Sequence, residues 1–172
     1  VIYNGVDKEI FKKGMKINNG KINIVTHHWS NNKGKGFGIY EAIDDFVKKH
    51  EGYTFTYIGR ERGTFKNTNV ISPLFGKPLG DELSRYDIYV SASEYENCPN
   101  HILESLSCNI PTYAISKGGA SLSLVGKNFV FDGWDQLKTI LLERKFKPNE
   151  TKVEGWEQCV NKYIEFYESG LV

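Results

Sequence analysis

The chain has 172 residues, of which 40% are hydrophobic and 25% are charged, and its formal net charge is +1. This length suits about one domain with a sizeable hydrophobic core, and the near-neutral charge gives no reason to expect nucleic acid as a partner. The three cysteines lack metal-type spacing, no apolar run approaches the roughly 18 residues of a membrane span, and no signal-peptide pattern opens the chain. We therefore expect a globular protein of the reducing cytoplasm.

Strand-like and helix-like segments alternate along the chain. Apolar runs bounded by glycine, proline or polar residues predict strands, and apolar residues at helical spacing predict helices. In chain order the pattern predicts a strand at 21–26, a helix around 39–47, strands at 54–58 and 69–71, a helix at 79–86, a strand at 87–91, a helix at 99–108, strands at 111–115 and 129–131, and helices at 134–143 and 154–168. Such alternation is typical of a parallel sheet with helices on both faces. The sequence thus predicts an α/β fold with a doubly wound parallel sheet of about six strands.

The last predicted helix is amphipathic. Its apolar side includes Trp156, Val160 and Tyr163 and needs a partner surface. The polar stretch at 145–152, with one proline, resembles a linker that leads to this helix.

Polar and glycine-rich loops follow the predicted strands. In an open α/β sheet, ligands bind beyond the carboxyl ends of the strands. The loops lie at 27–36, 59–63, 73–77, 93–97 and 116–119. Their convergence on one rim predicts a binding site more strongly than any single motif does.

Two carboxylates flank the start of the helix predicted at 99–108. Glu96 precedes the helix, and Glu104 lies on its second turn. Carboxylates can accept two sugar hydroxyls at once, and helix-terminal N–H groups attract anions. The pair suits a polyhydroxylated ligand, although spacing alone equally allows Glu96 to cap the helix and Glu104 to be solvated.

The segment Lys33-Gly34-Lys35-Gly36 opens a helix directly after a strand. Glycines let the backbone approach an anion, and lysines add positive charge. The segment matches neither the P-loop nor the dinucleotide fingerprint. It is therefore a candidate phosphate site, with a solvated turn as the alternative.

Three further candidates have two interpretations each. The arginines of the 59–63 loop can stack on a base or pair with phosphate, or they can belong to a charged turn. Gly118-Gly119 can offer N–H groups to a ligand or simply turn the chain. His27-His28 are more often packed or hydrogen-bonded than metal ligands, and because no metal-binding motif occurs we expect no metal site.

Taken together, these motifs resemble the donor half of GT-B retaining glycosyltransferases of family 4, also called glycosyltransferase group 1. Glu96 and Glu104, followed by 105–111 and Gly118-Gly119, resemble the family's E-G-F-G-x-x-x-x-E-A-M-A-x-G-x-P and G-G motifs. Three more segments resemble the family's I-x-N-G-V-D-x-x-x-F, K-G and V-G-x-G motifs: 1–7 with Phe11, Lys35-Gly36-Phe37, and 57–60. The resemblance covers essentially all 172 residues.

The resemblance implies a domain arrangement. An interdomain segment at 1–14 would lead into a Rossmann-like nucleotide-sugar-binding domain at 15–150, and a C-terminal crossover helix at 151–172 would pack on an N-terminal acceptor domain. The absence of an initiator Met fits a piece of a longer protein.

The resemblance also implies a function. The chain would be the donor-binding domain of a metal-independent hexosyltransferase that uses a UDP-, GDP- or ADP-sugar and no cofactor. Alone it would bind nucleotide without transferring sugar. The full protein would be cytoplasmic, with possible peripheral association at the cytoplasmic face of a membrane.

Residue by residue, the resemblance assigns catalytic roles to two side chains. Lys35 would neutralise the diphosphate leaving group, and Glu96, with the N–H groups of 97–100, would bind hydroxyls of the donor sugar. Glu104 would hold the ribose hydroxyls, while Arg60 and the 73–77 turn would lie near the base. The other donor-binding residues expected are Ser30, Lys33, Gly36, Gly59, Leu74, Asn97, Cys98, Asn100, His101, Gly118 and Gly119.

The chain departs from the family pattern at three places. Ser30 stands where the family has an arginine, Asn97-Cys98-Pro99 replaces glycine-aromatic-glycine, and Leu122 replaces a frequent acid after the G-G pair. These departures leave open a divergent donor, a non-catalytic binding or interaction module with the same fold, or a GT-B sugar-nucleotide epimerase.

Overall fold

The computed structural model describes residues 2–170 and has a six-stranded sheet at its centre. The strands are β1 (Ile22–His28), β2 (Tyr53–Gly59), β3 (Asn69–Ile71), β4 (Ile88–Ser91), β5 (Thr112–Ile115) and β6 (Val130–Phe131). The helices are α1 (Phe37–Lys49), α2 (Gly76–Leu83), α3 (Asn100–Ser107), α4 (Ser121–Val125), α5 (Trp134–Glu143) and α6 (Trp156–Glu168), with short 3-10 turns at Lys33–Lys35 and Lys127–Phe129. Val1, Leu171 and Val172, which belong to the segments predicted at 1–14 and 151–172, lie outside the described residues.

All neighbouring strands run parallel, in the order β3-β2-β1-β4-β5-β6. The central strand β1 pairs on both sides, so that Ile24 lies beside Phe55 of β2 and Ile88 of β4. The strand order reverses between β1 and β4, which is the position where open α/β sheets bind ligands. The predicted Rossmann-like, six-stranded parallel sheet is confirmed.

The sheet separates two hydrophobic cores. Successive residues of a strand point to opposite faces, so the fully buried neighbours Ile24 and Val25 belong to different cores. On one face α2 and α3 contribute Leu83 and Ile102, whereas on the other α1 contributes Ile43. Full burial of each such side chain stabilises the fold by about 1.5–3 kcal/mol.

Two predicted elements have different bounds in the structure. Strand β1 extends through His28, two residues beyond the predicted end, because His27 and His28 continue the parallel pairing with β2. Helix α2 begins at Gly76 and ends at Leu83, three residues earlier at each end than predicted. Pro78 lies in its first turn, where a missing N–H costs nothing.

The polar stretch at 145–152 is anchored to the sheet by side-chain hydrogen bonds. Asn149 Nδ2 donates to the carbonyl oxygens of Thr112 at 3.0 Å and Val125 at 2.9 Å, and Asn149 Oδ1 accepts from Thr112 N at 2.8 Å. The Thr151 hydroxyl donates to the Leu124 carbonyl. Composition suggested a linker, but these contacts attach the stretch to β5 and α4.

The segment near the N-terminus lies beside the residues that precede α6. Val6 N donates to Glu154 O at 3.0 Å, and Val6 forms a parallel bridge with Gly155. Helix α6 buries Cys159 but leaves exposed a group of large apolar side chains that comprises Trp156, Val160, Tyr163, Ile164, Phe166 and Tyr167. None of the helices within residues 2–170 has the length and apolar character needed to cross a membrane.

Candidate functional site

A cavity of about 450 Å³ opens at the carboxyl edge of the sheet, at the point where the strand order reverses. Its walls come from the end of β1 and the loop after it, the segment before α2, and the start of α3. The predicted site residues that line it are Ser30, Lys35, Leu74, Cys98, Asn100, His101 and Glu104. Residues from segments far apart in the sequence therefore share one cleft.

Gly36 allows the lysine-bearing loop to approach the end of β4. Its φ of 75° lies in the left-handed region, and a Cβ at this position would be 2.1 Å from the Ala92 carbonyl oxygen. Only glycine fits such a position without strain. This close approach brings Lys35 beside the loop that carries Glu96.

Lys35 and Glu96 form a sheltered ion pair. Lys35 Nζ donates to Glu96 Oε1 at 2.5 Å, the two side chains are 20% and 16% exposed, and the Ser93 hydroxyl donates to the same oxygen. Within the described residues, Glu96 Oε2 accepts no hydrogen bond and α3 has no side-chain cap. The capping interpretation of Glu96 was therefore wrong. Its second oxygen is unpaired within the described residues, but Glu96 itself does not line the cavity.

Glu104 pairs with a histidine. His27 Nε2 lies 2.7 Å from Glu104 Oε2, and the two side chains are 10% and 21% exposed. The solvated interpretation of Glu104 was therefore wrong. Its carboxylate is held at the wall of the cavity.

His28 and His101 form an uncharged part of the cavity wall. Their ring centroids are 5.2 Å apart, His28 Nε2 lies 2.6 Å from the Tyr40 hydroxyl, and His101 Nε2 lies 2.9 Å from Ser91 Oγ. Burial, assisted by repulsion from neighbouring histidines and Lys35, holds the pKa of both imidazoles well below the usual value. The interpretation of His27-His28 as packed, hydrogen-bonded side chains is confirmed.

Exposed aromatic rings form one rim of the cavity. The Arg60 guanidinium lies over the Trp29 ring at 4.1 Å, and the Trp29 and Phe75 ring centroids are 4.8 Å apart. Both rings are more than half exposed and line the cavity. Arg60 does not line the cavity but contacts the Trp29 ring. Sequence reasoning singled out Arg60 and the 73–77 turn but neither ring. Aromatic residues inside rim loops were the signal that could have identified them.

Other predicted residues lie away from this cavity. Lys33 and Gly36 line a separate cleft of about 650 Å³ beside the start of α1, together with Arg62 and Glu94. A Cβ at Gly59 would lie 1.9 Å from the His28 carbonyl oxygen, so this glycine permits close contact between β1 and β2.

The loops at 94–97 and 117–120 support each other. Ala120 N donates to Glu96 O at 2.7 Å, Tyr95 N donates to Lys117 O at 2.9 Å, and a Cβ at Gly119 would lie 2.6 Å from Glu96 O. Gly118-Gly119 therefore turn the chain against the acidic loop. They do not line the cavity.

The backbone of 97–100 offers fewer free donors than predicted. Pro99 has no N–H, and Asn100 N already donates to Cys98 O at 3.0 Å. Asn97 does not line the cavity, and Asn100 Oδ1 accepts from Asn4 Nδ2 at 2.9 Å.

In residues 2–170, no three His, Cys, Asp or Glu side chains are grouped to hold a metal ion.

No protein-family model and no curated protein sequence matches the chain, but solved structures share its fold. The C-terminal domain of a glycosyl transferase group 1 family protein (LpcC) from Francisella tularensis matches with a TM-score of 0.66 and 18% identity, over 92% of this chain and 98% of that one. Sucrose-phosphate synthase from Thermosynechococcus elongatus matches with a TM-score of 0.77 and 12% identity, over 99% of this chain and 52% of that one.

A third solved structure is the pneumococcal O-GlcNAc transferase GtfA in complex with UDP and GlcNAc, with a TM-score of 0.65 and 13% identity over 94% of this chain and 38% of that one. The chain therefore spans the whole of an isolated C-terminal domain but about half or less of the two larger proteins. At these identities the likeness concerns the fold, which is that of glycosyltransferase group 1 C-terminal domains.

Proposed function

We propose that this chain is the donor-binding domain of a retaining glycosyltransferase and that its 450 Å³ cavity binds a nucleoside diphosphate sugar. One observation carries the proposal: Lys35 of the 3-10 turn after β1 and Glu104 of α3, which lie on either side of the point where the strand order reverses, line the same cavity. The shared fold with glycosyltransferase domains supports it.

Lys35 would bind the diphosphate. Departure of a nucleoside diphosphate builds negative charge on its oxygens, and a cation already fixed in a sheltered site stabilises that charge without reorganisation. In the free protein Glu96 holds this ammonium at 2.5 Å, so Lys35 is oriented before the donor arrives. The free Glu96 oxygen would accept a hydroxyl of the donor sugar.

Glu104 would bind the ribose. A carboxylate accepts hydrogen bonds from neighbouring hydroxyls, and charge-assisted bonds of this kind are about twice as strong as neutral ones. The base would then lie at the aromatic rim, on Trp29 or Phe75, where stacking contributes roughly 1–3 kcal/mol per base. UDP-, GDP- and ADP-sugars all remain candidates.

The transfer reaction would need an acceptor domain of the same polypeptide. The exposed apolar side chains of α6 fit an interdomain surface, because a helix face of this kind is stable when covered. We propose that residues 1–14 and 151–172 connect to and pack on that domain, in a cytoplasmic protein that can associate with a membrane surface. This chain alone would bind nucleotide and transfer no sugar.

Isothermal titration calorimetry with UDP, GDP and ADP tests the proposal. We expect one nucleotide to bind, and Glu104→Ala to weaken its binding at least tenfold, which corresponds to about 1.4 kcal/mol. The control Glu143→Ala removes an exposed carboxylate at the end of α5 and should leave the affinity unchanged. Absence of binding to all three nucleotides, or equal affinities for wild type and Glu104→Ala, would contradict the proposal.

A further inference from the structure

His27 is the only side chain that holds Glu104 among residues 2–170. We infer that His27 is a positioning residue, which fixes one oxygen of the Glu104 carboxylate so that the other can accept a ribose hydroxyl. This inference rests on the proposed function of Glu104. It concerns a side chain at the end of β1 for which sequence reasoning gave no ligand-related role.

The geometry determines how the hydrogen bond is made. An ionised carboxylate only accepts hydrogen bonds, so His27 Nε2 must carry the hydrogen that it donates to Glu104 Oε2 at 2.7 Å. His27 Nδ1 is buried and has no hydrogen-bond partner in the part of the chain that the structure describes. The imidazole therefore has a single polar anchor, the carboxylate itself.

Packing supplies the remaining constraint on the ring. His27 meets Tyr89 of β4 edge-on with centroids 5.5 Å apart, and it meets His101 of α3 edge-on at 6.2 Å. With the ring wedged between these neighbours, the Nε2–H direction is fixed. Fixing a carboxylate before the ligand binds reduces the ordering cost of binding.

The position of His27 in the sheet strengthens the argument. Central strands of parallel sheets are usually apolar throughout, and β1 pairs on both sides. Burying an imidazole with one unpaired nitrogen there is unfavourable for the fold. An apolar side chain at this position would stabilise the strand more, whereas an imidazole can also donate a hydrogen bond to Glu104.

The second oxygen of Glu104 completes the arrangement. Glu104 Oε1 accepts no hydrogen bond from residues 2–170, and Glu104 lines the cavity. His27 thus saturates one side of the carboxylate and leaves one side for a ligand. A carboxylate that rotated freely in solvent would not present its second oxygen in one fixed direction.

Calorimetry on two variants of this chain tests the inference, with whichever of UDP, GDP and ADP binds the wild type. His27→Leu removes the donor and should weaken binding about tenfold. His27→Gln keeps an N–H near the position of Nε2 and should bind within about threefold of the wild type. In a Glu104→Ala background, His27→Leu should cause no further loss, because the group that it positions is absent.

Equal losses from His27→Leu with and without Glu104 would overturn the inference, because they would indicate a general structural role. Failure of His27→Gln to restore binding would overturn it as well. Nitrogen-15 NMR of the imidazole gives a second measurement that needs no variant to fold: a His27 ring protonated on Nδ1 alone would also contradict the arrangement.

The same set of experiments separates this inference from the proposed function. If the wild-type chain binds no nucleotide, the proposed function fails and the inference fails with it. If the wild type binds and Glu104→Ala weakens binding but His27→Leu does not, only the role of His27 is wrong.

Discussion

At the scale of residues, two lysines two positions apart serve different clefts. Lys35 lines the 450 Å³ cavity and is 20% exposed, whereas Lys33 lines the neighbouring 650 Å³ cleft. The 3-10 turn at Lys33–Lys35 separates them, since a 3-10 helix has three residues per turn and side chains two positions apart point in different directions. The two lysines therefore form a matched pair for a charge test.

We expect Lys35→Ala to weaken nucleoside diphosphate binding about tenfold or more while changing binding of the unphosphorylated nucleoside little, because the lost charge acts on the diphosphate. Lys33→Ala should change either affinity less than threefold. Calorimetry with the diphosphate and the nucleoside measures both. A larger effect of Lys33→Ala than of Lys35→Ala would contradict this prediction, because it would place the diphosphate in the 650 Å³ cleft.

Residue-level prediction chose Lys35 and Glu104, which line one cavity, because segments that follow parallel strands share one edge of the sheet. Glu96 was chosen on the same ground but does not line the cavity, and the ligand roles of all three side chains stay predictions. The partner of Glu104 could not be predicted, because His27 lies 77 residues away in the sequence and no local pattern links the two. The resemblance assigned Lys33, Gly59 and Gly118-Gly119 to the ligand, but the structure places them in another cleft or in backbone packing.

At the scale of elements, Asp44 connects α1 to the segment that leads into β3. It is buried, and it accepts hydrogen bonds from the backbone N–H groups of Lys66 and Asn67, from Asn67 Nδ2 and from the Thr68 hydroxyl. Burial alone would raise the pKa of Asp44, but these hydrogen bonds outweigh it and lower the pKa. The segment before β3 thus depends on one carboxylate of α1.

Asp44→Ala should lower the free energy of unfolding by about 2–4 kcal/mol, because it removes the shared acceptor of four part-buried hydrogen-bond donors. The adjacent Asp45 is exposed, so Asp45→Ala should change it by less than about 0.5 kcal/mol. Urea unfolding followed by circular dichroism measures both values. Similar values for the two variants would show that the 66–68 contacts contribute little.

Element prediction was accurate for the alternation of strands and helices and poor for segments fixed by distant contacts. Buried parallel strands produce apolar runs that are visible in the sequence. The largely exposed edge strand β3 was recognised from a short apolar run before a proline, so all six strands were found. The 145–152 stretch looked like a linker because the bonds of Asn149 to Thr112 and Val125 have no local signature. Helix α4, five residues long, is too short to show a periodicity.

At the scale of the whole molecule, two buried imidazoles make stability depend on pH. His28 and His101 have pKa values held well below 6.5, chiefly by burial. In the unfolded chain both are free to bind protons near pH 6.5, so the unfolded state takes up more protons as the pH falls. Their contribution is present above pH 6.5 and is lost progressively below it.

We therefore expect the free energy of unfolding to be lower at pH 5 than at pH 7.5. Asp44 stays ionised through this window because its pKa lies below 3.8, so it does not contribute to the change. Replacing His101 by Gln should reduce the pH dependence, whereas replacing the partly exposed His50 by Gln should not. Denaturant unfolding at the two pH values measures the free energy of unfolding of each protein. A pH dependence unaltered by His101→Gln would contradict this account.

The cysteines have a practical consequence for studies of the cleft. Cys98 is exposed and lines the cavity, while Cys108 and Cys159 are buried, and burial raises the pKa of the Cys108 thiol to about 12. A maleimide dye thus has one accessible attachment point in the native molecule, beside the place where a sugar nucleotide would dock. The protein carries its own site for a fluorescent reporter of occupancy, without an engineered residue.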